Sequence, residues 1–482
     1  LKIFKGKHTF TIGTHNEFFK FRNLFINNFN GRWRFASMDN FYNDFPRQFD
    51  VSYSANKSVN DKPAAEFKAA QLGFYVQDEI QFNRKFRLTA GLRVDVPVIS
   101  TKPGYNKIVD STFNGEYNTS NTPNGQLLFA PRIGFNYDVE GNRDLVIRGG
   151  VGIFSGRIPF VWLSNQFGGT GLLLKTTSQT DNTPTAAPFD VNGGNGFEPD
   201  VNAQSSIGSS GASFETNLID KKFKLPQVLR FNIGMDAKLP GGVNLTIDAL
   251  YSKTINNVLY KDVNLTAPVG NVDPTYNNGA DDRIAFAGST SARRKNPAIT
   301  NALLITNTNK GYTYNIGFTV NKTWKNLFAQ IAYNHNGAAD VNSGASSTAL
   351  SQWEFVQVVG DPNNPSLANS NYMLKHRITS MVTYSINWAR HLKTSIGLFY
   401  AGNSGQVFTY LVNGDLNSDG RFGNDLIYVP ADASQIKFVD RLNSAGTAVV
   451  ATAAQQAAAV EAFVDNDPYL SKMRGKYTER NG

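Results

Sequence analysis

Leu72-Gly73-Phe74-Tyr75-Val76-Gln77-Asp78-Glu79-Ile80-Gln81-Phe82, then Asn83-Arg84-Lys85, then Phe86-Arg87-Leu88-Thr89-Ala90-Gly91-Leu92-Arg93-Val94-Asp95-Val96, is the stretch that decides the fold. The even positions are apolar with one exception, Asp78, and the odd positions are mostly polar or charged. Side chains of a β-strand alternate between two faces, so both segments read as strands with one greasy side. The three polar residues between them are the right length for a hairpin turn.

The same alternation returns along the chain. It appears at Ile133, Phe135, Tyr137 and Val139, at Leu145, Ile147, Val151 and Ile153, and at Leu229, Phe231, Ile233, Met235 and Ala237. It continues at Val243, Leu245, Ile247, Ala249 and Tyr251, and at Tyr312, Tyr314, Ile316, Phe318 and Val320. Segments 327–336, 376–386, 392–400 and His8–Phe19 complete about eleven predicted strands. Their connections alternate between short (83–85, 140–144, 239–242, 323–326, 387–391) and long (15–66, 99–126, 155–227, 254–310, 337–371, 402–482). In an up-and-down antiparallel sheet every second connection lies at the same end, so one rim carries tight turns and the other carries loops. A soluble sandwich with its apolar faces packed together is the rival. It rarely sends every second loop to tens of residues.

Charge separates the faces. In these windows Glu79, Arg87, Arg93, Asp95, Arg132, Asp138, Arg148, Arg230, Asp236, Lys238, Asp248, Arg377 and Lys393 hold the polar parity, and Asp78 alone breaks the other. A charge facing lipid costs about 2–4 kcal/mol at mid-membrane for a basic residue and far less near the interface. Asp78 sits beside the 83–85 turn, where the cost is small. Phe82, Phe86, Tyr137, Trp324, Phe328 and Trp388 near that rim fit an interfacial aromatic girdle. The fold class is therefore all-β, an antiparallel up-and-down transmembrane β-barrel. Strands of about ten residues span a bilayer, and a mean hydropathy of −0.32 is no argument against it.

The chain has 482 residues, 47 Lys+Arg against 38 Asp+Glu, and no cysteine, which excludes disulfides, thiolate metal sites and cysteine nucleophiles. The basic residues are dispersed rather than striped, so nucleic acid is not an expected partner. The opening Leu1-Lys2-Ile3-Phe4 has neither an initiator Met nor a leader, and a processed or truncated piece is expected.

Gly73-Phe74-Tyr75-Val76-Gln77-Asp78-Glu79 with Leu88-Thr89-Ala90-Gly91-Leu92-Arg93-Val94-Asp95 resembles the barrel of TonB-dependent outer-membrane receptors, as does Phe129-Ala130-Pro131-Arg132-Ile133-Gly134-Phe135 leading to Arg148-Gly149-Gly150-Val151-Gly152-Ile153-Phe154. Gly414-Asp415-Leu416-Asn417-Ser418-Asp419-Gly420-Arg421, Asn424-Asp425-Leu426-Ile427-Tyr428-Val429-Pro430 and the ending Met473–Gly482 resemble the Oar-like branch of Bacteroidota and myxobacteria. The resemblance covers essentially the whole chain and implies a partial barrel, roughly half of a 22-stranded one. It also implies a plug, which this sequence does not show, and energy coupling through TonB by way of that plug. Residues 1–482 then form an incomplete outer-membrane barrel domain, with 403–482 a large extracellular loop region.

Catalytic motifs are missing: His8, His15, His335, His376 and His391 have no paired spacing, and there is no nucleophile elbow or P-loop. No enzyme is expected. Asp415, Asn417, Asp419 and Asp425 read either as part of a calcium loop, with Gly420 at its sixth position and Leu426 where the twelfth-position acid belongs, or as an Asx-rich turn holding itself. No cofactor is required; structural calcium in this loop is the one candidate. Arg132, Arg148, Arg230, Asp138 and Asp236 are the lumen-facing candidates, the arginines either biasing passage toward anionic ligands or pairing with Asp138, Asp236 and the plug that the resemblance implies. The Gly-rich run 149–152 reads as room for a close neighbour. Phe41, Tyr42, Phe45, Phe49, Tyr53, Trp162 and Trp353 are loop aromatics that serve either ligand stacking or internal packing. Ala448–Val464 is expected to be a helix in the last loop. The alternating strands predict a barrel with membrane lipid around it, and the resemblance implies an outer-membrane transporter that takes up a large extracellular substrate. A passive porin or export channel, and an adhesin without transport, are the alternatives.

Overall fold

Segments of period two joined by tight turns pair with their neighbours in sequence, and the chain builds one long antiparallel sheet in this way. The computed structural model describes residues 1–55, 62–180, 190–191, 194–201, 213–272, 279–443 and 446–482. Twelve strands follow one another in chain order along the sheet. They are β1 (Lys2–Lys5), β2 (His8–Asn23), β3 (Ala65–Gln81), β4 (Phe86–Ile99), β5 (Leu128–Asp138), β6 (Leu145–Ser155), β7 (Gln227–Leu239), β8 (Val243–Asp262), β9 (Tyr312–Thr323), β10 (Leu327–Asp340), β11 (His376–Ala389) and β12 (Leu392–Asn403). The sheet does not close, and β1 and β12 are its edges.

Register carries the alternation from strand to strand. His8, Ile80, Leu88, Phe135, Gly149, Ile233, Ala249, Ile316, His335 and His376 are successive partners in one row from β2 to β11. Gln77, Gly91, Arg132, Gly152, Arg230, Ser252 and Thr313 form another row on the opposite face. A slip of one residue anywhere would invert every later strand, so these rows mean that one side of the whole sheet is apolar and the other polar. On the apolar side Phe74, Leu92, Ile133, Phe231, Ile233, Phe318, Ile331, Val382 and Leu398 are exposed. Among the described residues no second layer covers them, against the sandwich reading. Asp78, the exception, has a partner on its own face: His8 Nδ1 lies 2.7 Å from Asp78 Oδ2.

The turns sort as expected. At one rim the links are 6–7, 82–85, 139–144, 240–242, 324–326 and 390–391; at the other they are 24–64, 100–127, 156–226, 263–311 and 341–375. Gly241 and Gly242, both at positive φ (78° and 76°), make the β7–β8 turn in a conformation other residues rarely adopt. Exposed Phe82, Tyr137, Trp324 and Trp388 mark the girdle at this rim. Phe328 corrects the expectation: it pairs with Thr323 and Thr383 on the polar parity and so points inward.

Toward the long-loop rim the strands run beyond the alternating windows. β3 starts at Ala65 instead of Leu72, β5 at Leu128 instead of Ile133, and β8 continues to Asp262 instead of Tyr251. There the inward positions turn apolar: Ala65, Phe67, Ala69, Ile99, Leu128, Val258 and Tyr260 are buried in one core with Trp162, Leu163 and Phe167 of the helix Phe160–Gly168 and with Trp353. An extra parallel pair, Phe214–Ile219 beside Ile299–Thr308, joins this core, and the second of these strands continues the sheet from the end of β8. The long loops thus fold inward and cap the mouth of the curved sheet. Parts of the 155–227 loop, 181–189, 192–193 and 202–212, lie outside the described residues. The last helix spans Ala453–Asn466, starting later than expected because Thr452 and Gln455 form a capping box and Val449–Ala451 pairs as a strand with Arg441–Leu442.

Candidate functional site

The polar face of the strands carries the lumen candidates. Arg148, on β6, lies between β5 and β7. Its Nε donates to Asp236 Oδ2 at 3.0 Å and its Nη1 to Asp248 Oδ1 at 2.7 Å, while Thr246 Oγ1 donates to Asp236 Oδ1 at 2.8 Å. This is the pairing expected of Arg148 and Asp236. Arg132 and Arg230 behave differently. Both lie over the Phe154 ring, their guanidinium carbons 4.3 and 5.4 Å from its centroid, and Arg230 Nε donates to Ser252 Oγ at 3.0 Å. Neither forms an ion pair among the described residues. Gly152 makes the arrangement possible, since a Cβ there would stand 2.8 Å from Arg132 Cγ. With Arg93, which pairs with Asp95 at 2.7 Å, they line a hollow of about 410 Å³ in the lumen wall. Asp138 belongs elsewhere: it is buried at the short-turn rim and accepts from the backbone N–H groups of Gly141 (2.8 Å) and Arg143 (3.1 Å), capping that turn.

The motif stretches near the end of the chain come together. Tyr428 and Val429 pair with Tyr477 and Lys476. Arg283, from the 263–311 loop, is fully buried between Asp281 (2.8 Å) and Asp425 (3.3 Å) and donates to Leu426 O at 2.8 Å. Tyr477 Oη lies 2.7 Å from Asp282 Oδ1 and 3.0 Å from Asp281 Oδ1, its one hydrogen shared between them, and Arg480 pairs with Asp340. In the 415–425 loop, Asp415 accepts from Gly420 N, Asn417 from Asp419 N, Asp419 from Arg421 N and Asn424 Nδ2, and Asp425 from Leu416 N. Asp415 Oδ1 and Asn424 Oδ1 are buried with no donor among the described residues. Desolvation, reinforced by the neighbouring charges of Asp415 and Asp425, pushes Asp419 up to about 6. Among the described residues no three His, Cys, Asp or Glu side chains converge to hold a metal ion.

A second cavity, of about 340 Å³, lies under the inward-folded loops. The strand Phe214–Ile219 supplies Glu215 and Asn217 to its wall, and the helix Phe160–Gly168 supplies Ser164, Asn165 and Gly168. Asn217 Nδ2 donates to Asn165 O at 3.2 Å and to Glu215 Oε1 at 3.3 Å. Burial, only partly offset by that bond, pushes the Glu215 carboxyl up to about 7. Sequence reasoning did not single out this pair. The signal was the short alternation Phe214-Glu215-Thr216-Asn217-Leu218, hidden in a Gly, Ser and Asn-rich loop. The loop aromatics divide: Phe49, Trp162 and Trp353 are core, whereas Phe41 and Tyr42 are exposed.

One family model, described as an outer membrane beta barrel domain, matches residues 1–466. No curated protein sequence matches the chain. Among solved structures, the outer membrane transporter YddB from Escherichia coli is similar over 87% of this chain and 42% of its own, with 10% identity and a TM-score of 0.44. The FrpB iron transporter from Neisseria meningitidis (F5-1 variant) is similar over 79% and 39%, with 10% identity and a TM-score of 0.38. The siderophore receptor PirA from Pseudomonas aeruginosa is similar over 82% and 49%, with 10% identity and a TM-score of 0.32. The chain spans less than half the length of each, and at such scores these likenesses carry no argument about function. The family match over nearly the whole chain agrees with a one-layer sheet whose outer face is apolar and whose inner face is polar: the chain belongs to the outer membrane β-barrel family, and its place is the outer membrane.

Proposed function

We propose that this barrel segment belongs to a TonB-dependent, Oar-like transporter that takes up a large substrate, and that it acts as a receptor rather than as an enzyme. The observation that carries this reading is the inward fold of the long loops. They bury the upper inward face of β3, β4, β5 and β8 in an apolar core, so the mouth is capped, while the lumen below keeps the Arg148, Asp236 and Asp248 network and the unpaired Arg132 and Arg230. A path closed by its own loops needs a movement to open it, which fits a gated receptor better than a passive pore. In this reading the long loops face outside the cell, the short turns face the periplasm, and a plug coupled to TonB supplies the movement that opens the path. Membrane lipid surrounds the apolar face.

The test is growth of cells carrying the full-length gene on limiting glycans, peptides or siderophores, with and without TonB. Gene-dependent growth on at least one of these that disappears without TonB is expected. Growth that persists without TonB would favour a passive channel. Surface binding of ligand without any uptake would favour an adhesin.

A further inference from the structure

We propose that the cavity under the loop cap is a subsite for a primary ammonium group, received by Glu215 and Asn217. The inference rests on the reading above that these loops face the outside, where ligands arrive. It starts from an imbalance of donors and acceptors. Asn217 is 4% exposed. Its amide orientation is fixed because both neighbours of Nδ2, Asn165 O and Glu215 Oε1, can only accept. The opposite atom, Asn217 Oδ1, is therefore an acceptor, buried and without a donor among the described residues. Among the described residues the Glu215 carboxyl, with room for about four hydrogen bonds when ionised, receives the one at 3.3 Å alone. Glu215 and Asn217 thus line a cavity whose described lining contains no Lys, Arg or His.

A half-buried carboxyl that forms no ion pair among the described residues is best satisfied by a partner that brings donors and positive charge together. An anion is repelled. A neutral hydroxyl ligand supplies donors but leaves the charge. An ammonium group supplies three donors and the charge at once. Among the described charges that act on Glu215, Asp262 and Glu354 are acidic, and the one cation, Arg421, is already paired with Glu354 at 3.3 Å. The remaining lining is hydroxyls and amides, among them Ser52, Thr176 and Asn301, which suit the polar body of such a ligand. The fold also holds the acceptors in place. A Cβ on Gly169 would lie 2.1 Å from Asn217 Nδ2, and one on Gly171, at φ +71°, would lie 2.1 Å from a Phe214 ring carbon. Only glycines after the helix let the strand Phe214–Ile219 come this close.

The ammonium has two sources, an amino sugar or a lysine-bearing peptide, and the test separates them. Purified full-length protein in detergent is titrated with glucosamine and with a lysine tripeptide, each beside its neutral counterpart, glucose or the N-acetyl-lysine tripeptide. Expected is saturable binding of at least one amine, roughly tenfold or more tighter than its neutral counterpart, with the preference abolished by Glu215→Gln. Which amine binds names the source. Glu215→Gln keeps the side-chain shape, and unchanged proteolytic protection of the cap shows that it folds. A Gly169→Ala variant, which displaces Asn217 and leaves Glu215 in the chain, is expected to weaken amine binding by a smaller factor. Equal binding of amine and neutral probes, no saturation below about 10 mM, or a preference that survives Glu215→Gln would each overturn the proposal. None of these results bears on TonB-dependent uptake, which the growth test reads separately.

Discussion

Glu215 makes the loop cap sensitive to pH, and the sign follows from its environment. Its carboxyl is raised by burial from an ordinary 4.5 to about 7, so the folded cap holds a proton that the unfolded chain releases. The stability this contributes is full below about 4.5 and is lost as pH rises to about 7, at a total cost of roughly 3 kcal/mol for a shift of this size. Hydrogen exchange of the 214–219 amides, corrected for intrinsic rates, is expected to show weaker protection at pH 8 than at pH 5, with Glu215→Gln removing much of the difference. The calcium-like loop yields an opposite kind of expectation. Calcium takes six to eight oxygens. Here Asp425 is spent on Arg283 and Leu416 N, Asp419 is filled by Arg421 N and Asn424, and only Asp415 Oδ1 and Asn424 Oδ1 stay open. We propose that the loop holds itself, so that chelator or added calcium leaves its protection from proteolysis unchanged; a clear loss on chelation would restore the ion. The oxygens at alternate positions were legible in the sequence. Arg283 was not, because it reaches Asp425 from a loop 142 residues away.

At the scale of a strand, β7 offers the cleanest comparison. Ile233 is 57% exposed on the apolar face near the middle of the strand, and Asn232 beside it lies in the row with Gly150 on the polar face. Ile233→Arg places a charge against lipid and is expected to cost about 2–4 kcal/mol in folding into vesicles, whereas Asn232→Arg, facing the lumen, is expected to cost well under half of that. Equal costs would mean that the two faces meet the same medium. Strands of this kind were legible because their two sides meet different media, and the alternation records it. The strand Ile299–Thr308 was missed for the converse reason. Ala302, Leu303, Leu304 and Ile305 are buried on both sides, and a continuous apolar run carries no period. The upper ends of β3, β5 and β8 escaped for the same cause, since loops pack on their inward face. The late start of the helix Ala453–Asn466 shows that a capping box fixes a boundary that composition alone blurs.

For the whole molecule, the claim on which the rest depends is that the rows Ile80 to Ile316 and Gln77 to Thr313 face hydrocarbon and the lumen respectively. Residues 1–482 lack cysteine, so single cysteines can be introduced along β7 from 229 to 237 without background from this part of the protein, any cysteine elsewhere in the full-length protein being replaced by serine. Full-length variants carrying a nitroxide at each position are reconstituted into lipid vesicles, and relaxation by oxygen, which partitions into lipid, is compared with relaxation by a water-soluble nickel complex. Strict alternation is expected, with 229, 231, 233 and 235 in lipid and 230, 232, 234 and 236 shielded from it. Nickel accessibility at all positions, or an oxygen signal with no period of two, would contradict the account.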